Sequence, residues 1–345
     1  MSGLPFSDTY TPDILGSGFT RRTLRLGTDP EGDGPVVATL IRYLPEACPD
    51  FDSRPAMIFI HGMSDYFFQR HVAERFHTEG YAIYGVDLRK CGRSHLPGQA
   101  WHDVRDVRRY FEDLNAVLDA VREHHSSVII QAHSTGGLIA PLWLDHLRRA
   151  AATGDPVSAA RHSSIPAAVL NSPWLDLMFP APLHRWSRPL IRALGDRFPR
   201  FDLPGGLACY GESIHVDYHG EWNFDTRIKP IAGHAKNIGW LAAIVRAQDT
   251  IHAGGVECGV PVLVLCSTRS WLNKPYSAMT DTSDAVLNVK QIQQWAPSLG
   301  AHVTVSPIDG ARHDVWLSLH HSRERAFTHT FEWLNTTIHQ QNPLY

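Results

Sequence analysis

One short stretch constrains this chain more than any other: Val128-Ile-Ile-Gln-Ala-His-Ser134-Thr-Gly-Gly137. Its β-branched apolar start predicts a buried strand over 127–132, and the residues beyond the serine predict a helix over 135–149. A strand that turns straight into a helix forces the apex residue into a strained backbone conformation, so its neighbours two before and two after must be small. Ala132 and Gly136 satisfy that requirement, and Gly137 lets the new helix approach the sheet. The turn lifts the Ser134 hydroxyl above the sheet beside a helix N-terminus, where developing negative charge is stabilised. The pattern is G-x-S-x-G with alanine in place of the first glycine.

The surrounding sequence repeats the same grammar. Strand-like runs at 56–60, 81–88, 165–171, 260–266 and 302–308 lack polar alternation, as in a sheet buried on both faces. Helical patterns lie between them at 67–79, 103–123, 289–296 and 322–339. Two β-rich runs near the start, 21–27 and 36–44, flank a Gly/Pro/Asp-rich turn and predict a hairpin. The expected fold class is α/β: a doubly wound, mostly parallel sheet with an antiparallel N-terminal edge. Residues 178–258 break the rhythm with several prolines and tryptophans and helices expected near 182–194 and 237–252. They are expected to form a helical cap inserted into a core of 1–177 and 259–345.

Composition excludes several functions. The net charge is −3, and no basic stripe offers a nucleic-acid surface. Five widely spaced cysteines without a C-x-x-C pair argue against a disulfide scaffold or zinc ribbon. No apolar run approaches the ~20 residues that span a bilayer, and the start lacks a secretory pattern, so a cytoplasmic chain without stable membrane insertion is expected. Oligomeric state is left open. No H-E-x-x-H, carboxylate cluster or phosphate loop is present, so neither metal nor cofactor is expected.

A serine nucleophile needs two backbone N–H donors facing the oxyanion of its tetrahedral intermediate. Thr135, which follows the serine, supplies one. Met63 is expected to supply the other, because His61-Gly62 ends the 56–60 strand in a sharp turn.

Taken together, HGMSDY (61–66), GYAIYGVDLRKCGRS (80–94), QAHSTGG (131–137), VLNSPWLDL (169–177), PVLVLCS (261–267), DAVLNV (284–289) and DGARHDV (309–315) occur in an informative order. Over roughly 36–340 the chain resembles the α/β-hydrolase superfamily, and within it the monoacylglycerol lipase/lysophospholipase-like serine hydrolases. The resemblance implies an acid and then a histidine after the serine. His313, just beyond the last strand, sits where that family places its histidine; His302, His320 and His321 are the rivals. The acid is displaced: Asp284 has the expected context but lies well beyond the 260–266 strand. Asp281 and Asp176 remain alternatives. Asp309 and Asp314 flank the histidine too closely to orient its far nitrogen.

The implied activity is hydrolysis of a carboxylic ester, monoacylglycerol- or lysophospholipid-like, through an acyl-enzyme. The expected partner is a small ester bearing an acyl chain. A proline-iminopeptidase-like peptidase or amidase is the alternative, with Glu212, Asp217, Glu221 and Asp225 of the cap as candidate anchors for a substrate amine. A non-catalytic ligand-binding scaffold is the third reading. The cap aromatics, among them Phe179, Trp186, Phe198, Phe201, Tyr210, Tyr218, Trp222, Phe224 and Trp240, are expected either to pack on the body or to line an apolar passage. The 237–252 helix is expected to be able to touch lipid surfaces.

Overall fold

The structure, a computed structural model, describes residues 9–45, 48–178, 181–203, 206 and 208–341. The chain opens with β1 (Thr11–Pro12), β2 (Phe19–Thr28) and β3 (Pro35–Tyr43), antiparallel neighbours at one edge of the sheet. Next come β4 (Ala56–Ile60), α1 (Arg70–Thr78), β5 (Ala82–Asp87), α2 (Arg109–Arg122), β6 (Val128–His133) and α3 (Thr135–Ala152). After α4 (Pro156–Ser163) and β7 (Ala168–Asn171), the chain leaves the sheet. The excursion holds α5 (Ala181–Arg197), β8 (Asp202–Leu203), α6 (Ala208–Ile214), β9 (Lys236–Asn237) and α7 (Ile238–His252). The sheet resumes with β10 (Val262–Ser267), α8 (Val289–Trp295), β11 (Val303–Ile308) and the closing α9 (His320–Gln341).

Among the described residues the main sheet has nine strands in the order β1-β2-β3-β5-β4-β6-β7-β10-β11. From β5 onward every pairing is parallel, and β3 joins β5 antiparallel. Period-two geometry explains why the inner strands are apolar throughout. Ile58, Ile60, Val128, Ile130, Val262 and Val264 face one core together with Leu118 of α2 and Leu144 of α3. Met57, Phe59, Ile129, Leu263 and Leu265 face the other, against Phe76 of α1 and Phe327 of α9.

The excursion departs from expectation at its end. Ala242, Ile244, Val245 and Ile251 of α7 lie in the main core, completely buried. This helix is apolar on most of its circumference, as suits burial between other elements. It therefore does not offer the lipid-touching face expected of 237–252. Within the excursion, a run of exposed apolar side chains lies instead on and just after α5: Trp186, Leu190, Leu194, Phe198 and Phe201. Tyr218 is also exposed, Tyr210, Phe224 and Trp240 are buried, and Phe179 lies outside the described residues.

Candidate active site

The β6–α3 junction has the strain that its sequence implies. Ser134 sits at φ 53°, ψ −112°, a region that L-residues rarely occupy. The reason for a glycine two residues on is steric: a Cβ at Gly136 would lie 2.6 Å from the His61 carbonyl oxygen. A Cβ at Gly62 would come within 2.9 Å of Ser134 Cβ, so the turn after β4 passes directly over the serine. That contact brings Met63 to the same place, and Met63 and Ser134 line a common cavity. No hydrogen bond to the Met63 or Thr135 backbone N–H occurs among the described residues.

His313 lies in the turn after β11, buried, with its Nε2 3.0 Å from Ser134 Oγ. Its Nδ1 is 2.9 Å from Asp284 Oδ2. The other carboxylate oxygen, Oδ1, accepts from the Val286 and Leu287 N–H groups at 2.8 and 2.7 Å. A wholly buried carboxylate is thus supplied with donors on both oxygens, which offsets the cost of removing it from water.

The rivals have other partners. Asp281 accepts from Tyr276 Oη and Arg312 Nη2. Asp176 accepts from Leu177 N, Arg188 Nη1 and Trp295 Nε1. Asp309 accepts from Thr268 and Arg269, whereas Asp314 accepts from Asn171 Nδ2 and Gln69 Nε2. His302 lies just ahead of β11, and His320 and His321 open α9.

Several residues around this cluster carry no sequence signal that singles them out. The His133 ring stands 4.8 Å from that of His313, and burial pulls its pKa down to about 4, so it stays neutral beside the site. Ser64, at φ 55°, donates its N–H to His102 Nε2, and its hydroxyl accepts from the backbone N–H of His234 in the excursion. His61 Nε2 accepts from Leu88 N, so the 80–94 block braces the turn over the serine. Next to it, Asp65 and Lys229 form a buried ion pair at 2.7 Å.

That pair fastens the excursion to the turn after β4. Replacing one partner leaves the other charge buried alone, at a cost of about 3–5 kcal/mol. Lys229→Met is expected to lower the denaturant midpoint correspondingly, whereas Lys229→Met combined with Asp65→Leu recovers most of the loss. Equal instability of the single and double variants would show that the pair does not hold the two segments together.

A second alcove by the serine is lined by Tyr210, Phe224, Lys229 and His133. The Tyr210 ring meets His313 edge-on at 5.5 Å, and its buried hydroxyl has no hydrogen-bond partner among the described residues. The acidic cap residues considered as amine anchors are engaged elsewhere or lie apart: Glu221 pairs with Arg323, Asp225 with Arg227, and Asp217 lies beside His215. None of them, nor Glu212, lines either cavity beside Ser134. No group of three or more His, Cys, Asp or Glu suited to a metal occurs among the described residues.

With this arrangement in hand, comparison with known proteins is specific. The family model described as serine aminopeptidase, S33, matches residues 52–318. A monoacylglycerol lipase from Mycolicibacterium smegmatis is 33% identical over 92 residues, 26% of this chain and 32% of that protein. The match thus spans about a third of that relative's length. A soluble variant of monoglyceride lipase from Saccharomyces cerevisiae, solved with a substrate analogue, superposes with a TM-score of 0.63 at 15% identity, covering 94% of this chain and 99% of that one. A monoacylglycerol lipase from Paleococcus ferrophilus gives 0.58 at 17% identity, covering 92% and 99%. These two likenesses concern the fold. The family match over most of the length carries the assignment: this chain belongs to the serine aminopeptidase S33 family of α/β-hydrolases and is similar to monoacylglycerol lipases.

Proposed function

We propose that the protein hydrolyses carboxylic esters through an acyl-enzyme on Ser134. The observation that carries this reading is the unbroken hydrogen-bonded chain Ser134 Oγ–His313–Asp284, set on a strained turn. In the proposed mechanism His313 Nε2 removes the hydroxyl proton as Oγ attacks the acyl carbonyl. Asp284 keeps the proton of the neutral ring on Nδ1 and stabilises the imidazolium that forms. The Met63 and Thr135 N–H groups receive the oxyanion, each such donor being worth about 3 kcal/mol of transition-state stabilisation. His313 next protonates the leaving alcohol, and water repeats the sequence to release the acid.

The ester reading is favoured over the amine-anchored peptidase by what lines the space beside Ser134. A cavity of about 370 Å³ runs from Met63 and Ser134 past Trp174, Leu177, Trp240 and Leu287. It is mainly apolar, and among the described residues no carboxylate that could hold a substrate ammonium is part of its wall. Each methylene buried there contributes up to ~0.8 kcal/mol, or about fourfold in kcat/KM. p-Nitrophenyl esters are expected to improve from acetyl toward octanoyl until the cavity is filled, with amino-acyl p-nitroanilides turned over far more slowly. A flat or falling chain-length profile, or faster release from the amino-acyl anilides, would sink the lipase-like reading in favour of the peptidase. The same reading makes a monoacylglycerol- or lysophospholipid-like ester with an acyl chain the natural substrate class. The five cysteines, all free, suit a reducing compartment, and the reading accordingly sets the reaction in the cytoplasm.

A further inference from the structure

The cavity that receives the acyl chain is not wholly apolar. Lys236, the first residue of β9, lines it and is only 8% exposed. Lysines buried to this degree are almost always paired. Lys229 conforms, with Asp65 against it, but Lys236 has no ion pair or side-chain hydrogen bond among the described residues. Its titratable neighbours are His102 and His234, which burial holds largely neutral, and neither is an acceptor of opposite charge. Burial alone draws the Lys236 pKa down to about 8, with no carboxylate opposing the shift. At neutral pH the amine is therefore mostly an ammonium facing an otherwise greasy wall.

A second cation stands in the same wall. Lys274 is exposed, with its Nζ 3.8 Å above the ring of Trp271. Among the described residues two lysines and no aspartate or glutamate line this space, in a chain whose overall charge is −3. The local sign is thus opposite to that of the whole. A neutral hydrocarbon would leave the Lys236 ammonium desolvated and unpaired, the costly situation that native interiors avoid. An anion arriving with the substrate would complete it.

We infer that the cavity takes an acyl chain bearing a carboxylate, which pairs with the Lys236 ammonium while the ester carbonyl lies at Ser134. Within the monoacylglycerol- or lysophospholipid-like class, the preferred acyl groups then carry a carboxylate, as in half-esters of dicarboxylic acids, and plain fatty acyl esters are turned over less well. Lys274 guides the anion at the exposed part of the wall, and Lys236 holds it inside. This inference rests on the ester-hydrolase reading for its chemistry but on the cavity wall for its specificity.

The test compares mono-p-nitrophenyl esters of the dicarboxylic acids from adipate to sebacate with the plain fatty acyl esters of equal length. Without a buried cation, a carboxylate on the chain would depress kcat/KM steeply. The inference predicts that at one chain length the carboxylated ester is at least as good as its neutral counterpart. It further predicts that Lys236→Met lowers the carboxylated-to-neutral ratio by about tenfold or more, as expected for loss of a charge-assisted contact. Lys236→Arg retains the preference, and Lys274→Met reduces it less. A ratio below one at every length, or one unmoved in Lys236→Met, would overturn the inference and leave the esterase reading standing.

Binding supplies a readout that needs no turnover. Calorimetric titration of the wild-type protein with the monoamide of suberate and with octanamide compares the same chain with and without the anion. Tighter binding of the suberate monoamide supports the inference even if Lys236→Met fails to fold. Preference for octanamide refutes it. Failure of the wild-type protein to cleave any neutral or carboxylated ester would instead count against the proposed function, and the binding comparison would still decide the role of Lys236.

Discussion

Ser134→Ala lowers kcat for any ester substrate by roughly 10⁴-fold or more, with the thermal transition little changed. The methyl group fits where the hydroxymethylene sits, and the turn remains held by the Ser134 N–H to Asn171 carbonyl bond and by the close approach of Gly136 to His61. What disappears is the atom 3.0 Å from His313 Nε2. His313→Ala gives a loss of the same order, and the double variant is scarcely worse than either single one, because nucleophile and base act as one unit. Steady-state kinetics on p-nitrophenyl octanoate measures all three. Multiplicative losses would mean that the two side chains work independently, and retained activity in Ser134→Ala would end the proposed mechanism.

Asp284→Asn lowers kcat by up to about 10⁴-fold. The amide can keep the bonds to the Val286 and Leu287 N–H groups through its oxygen, so the carboxamide nitrogen is turned toward His313. There it donates to Nδ1 and drives the ring proton onto Nε2, the nitrogen that must accept from the serine. Asp281→Asn acts differently, because Asp281 is bound to Arg312 and Tyr276. Its removal is expected to cost stability more than kcat. Asp176→Asn loosens the bond to Arg188 across the start of the excursion, again without touching the ring. A larger kcat loss in either of these than in Asp284→Asn would move the acid elsewhere while keeping the serine.

The β6–α3 junction is legible in sequence because its requirement is local: the small residues at 132 and 136 follow from the turn itself. The sheet is legible for a related reason, since strands buried on both faces write continuous apolar runs. The placement of the acid is less so. Residues 268–283 leave the end of β10 and come back, and a bridge between Ser270 and Asp284 returns the carboxylate to the sheet's edge. Sixteen residues of sequence thus collapse to one position in space, a closure that no periodicity announces. Helix α7 illustrates the opposite limit: its pattern marks a helix with an apolar surface but not what covers it, and the cover is the main core rather than lipid. Lys236 is the least legible of all. A single lysine before a helix ordinarily reads as a solvated cap-region residue, and only the packed cavity reveals that it is buried with no ion-pair partner among the described residues.

The central claim is a covalent acyl-enzyme on Ser134, and it can be observed directly. The wild-type protein is mixed with excess p-nitrophenyl octanoate, quenched in acid within the first turnovers, and digested for peptide mass spectrometry. The account predicts an added octanoyl group on the peptide carrying Ser134, formed with a burst of p-nitrophenol where deacylation is the slower step, and absent in Ser134→Ala. Ester turnover that leaves Ser134 unmodified at every quench time while another side chain carries the acyl group would contradict it.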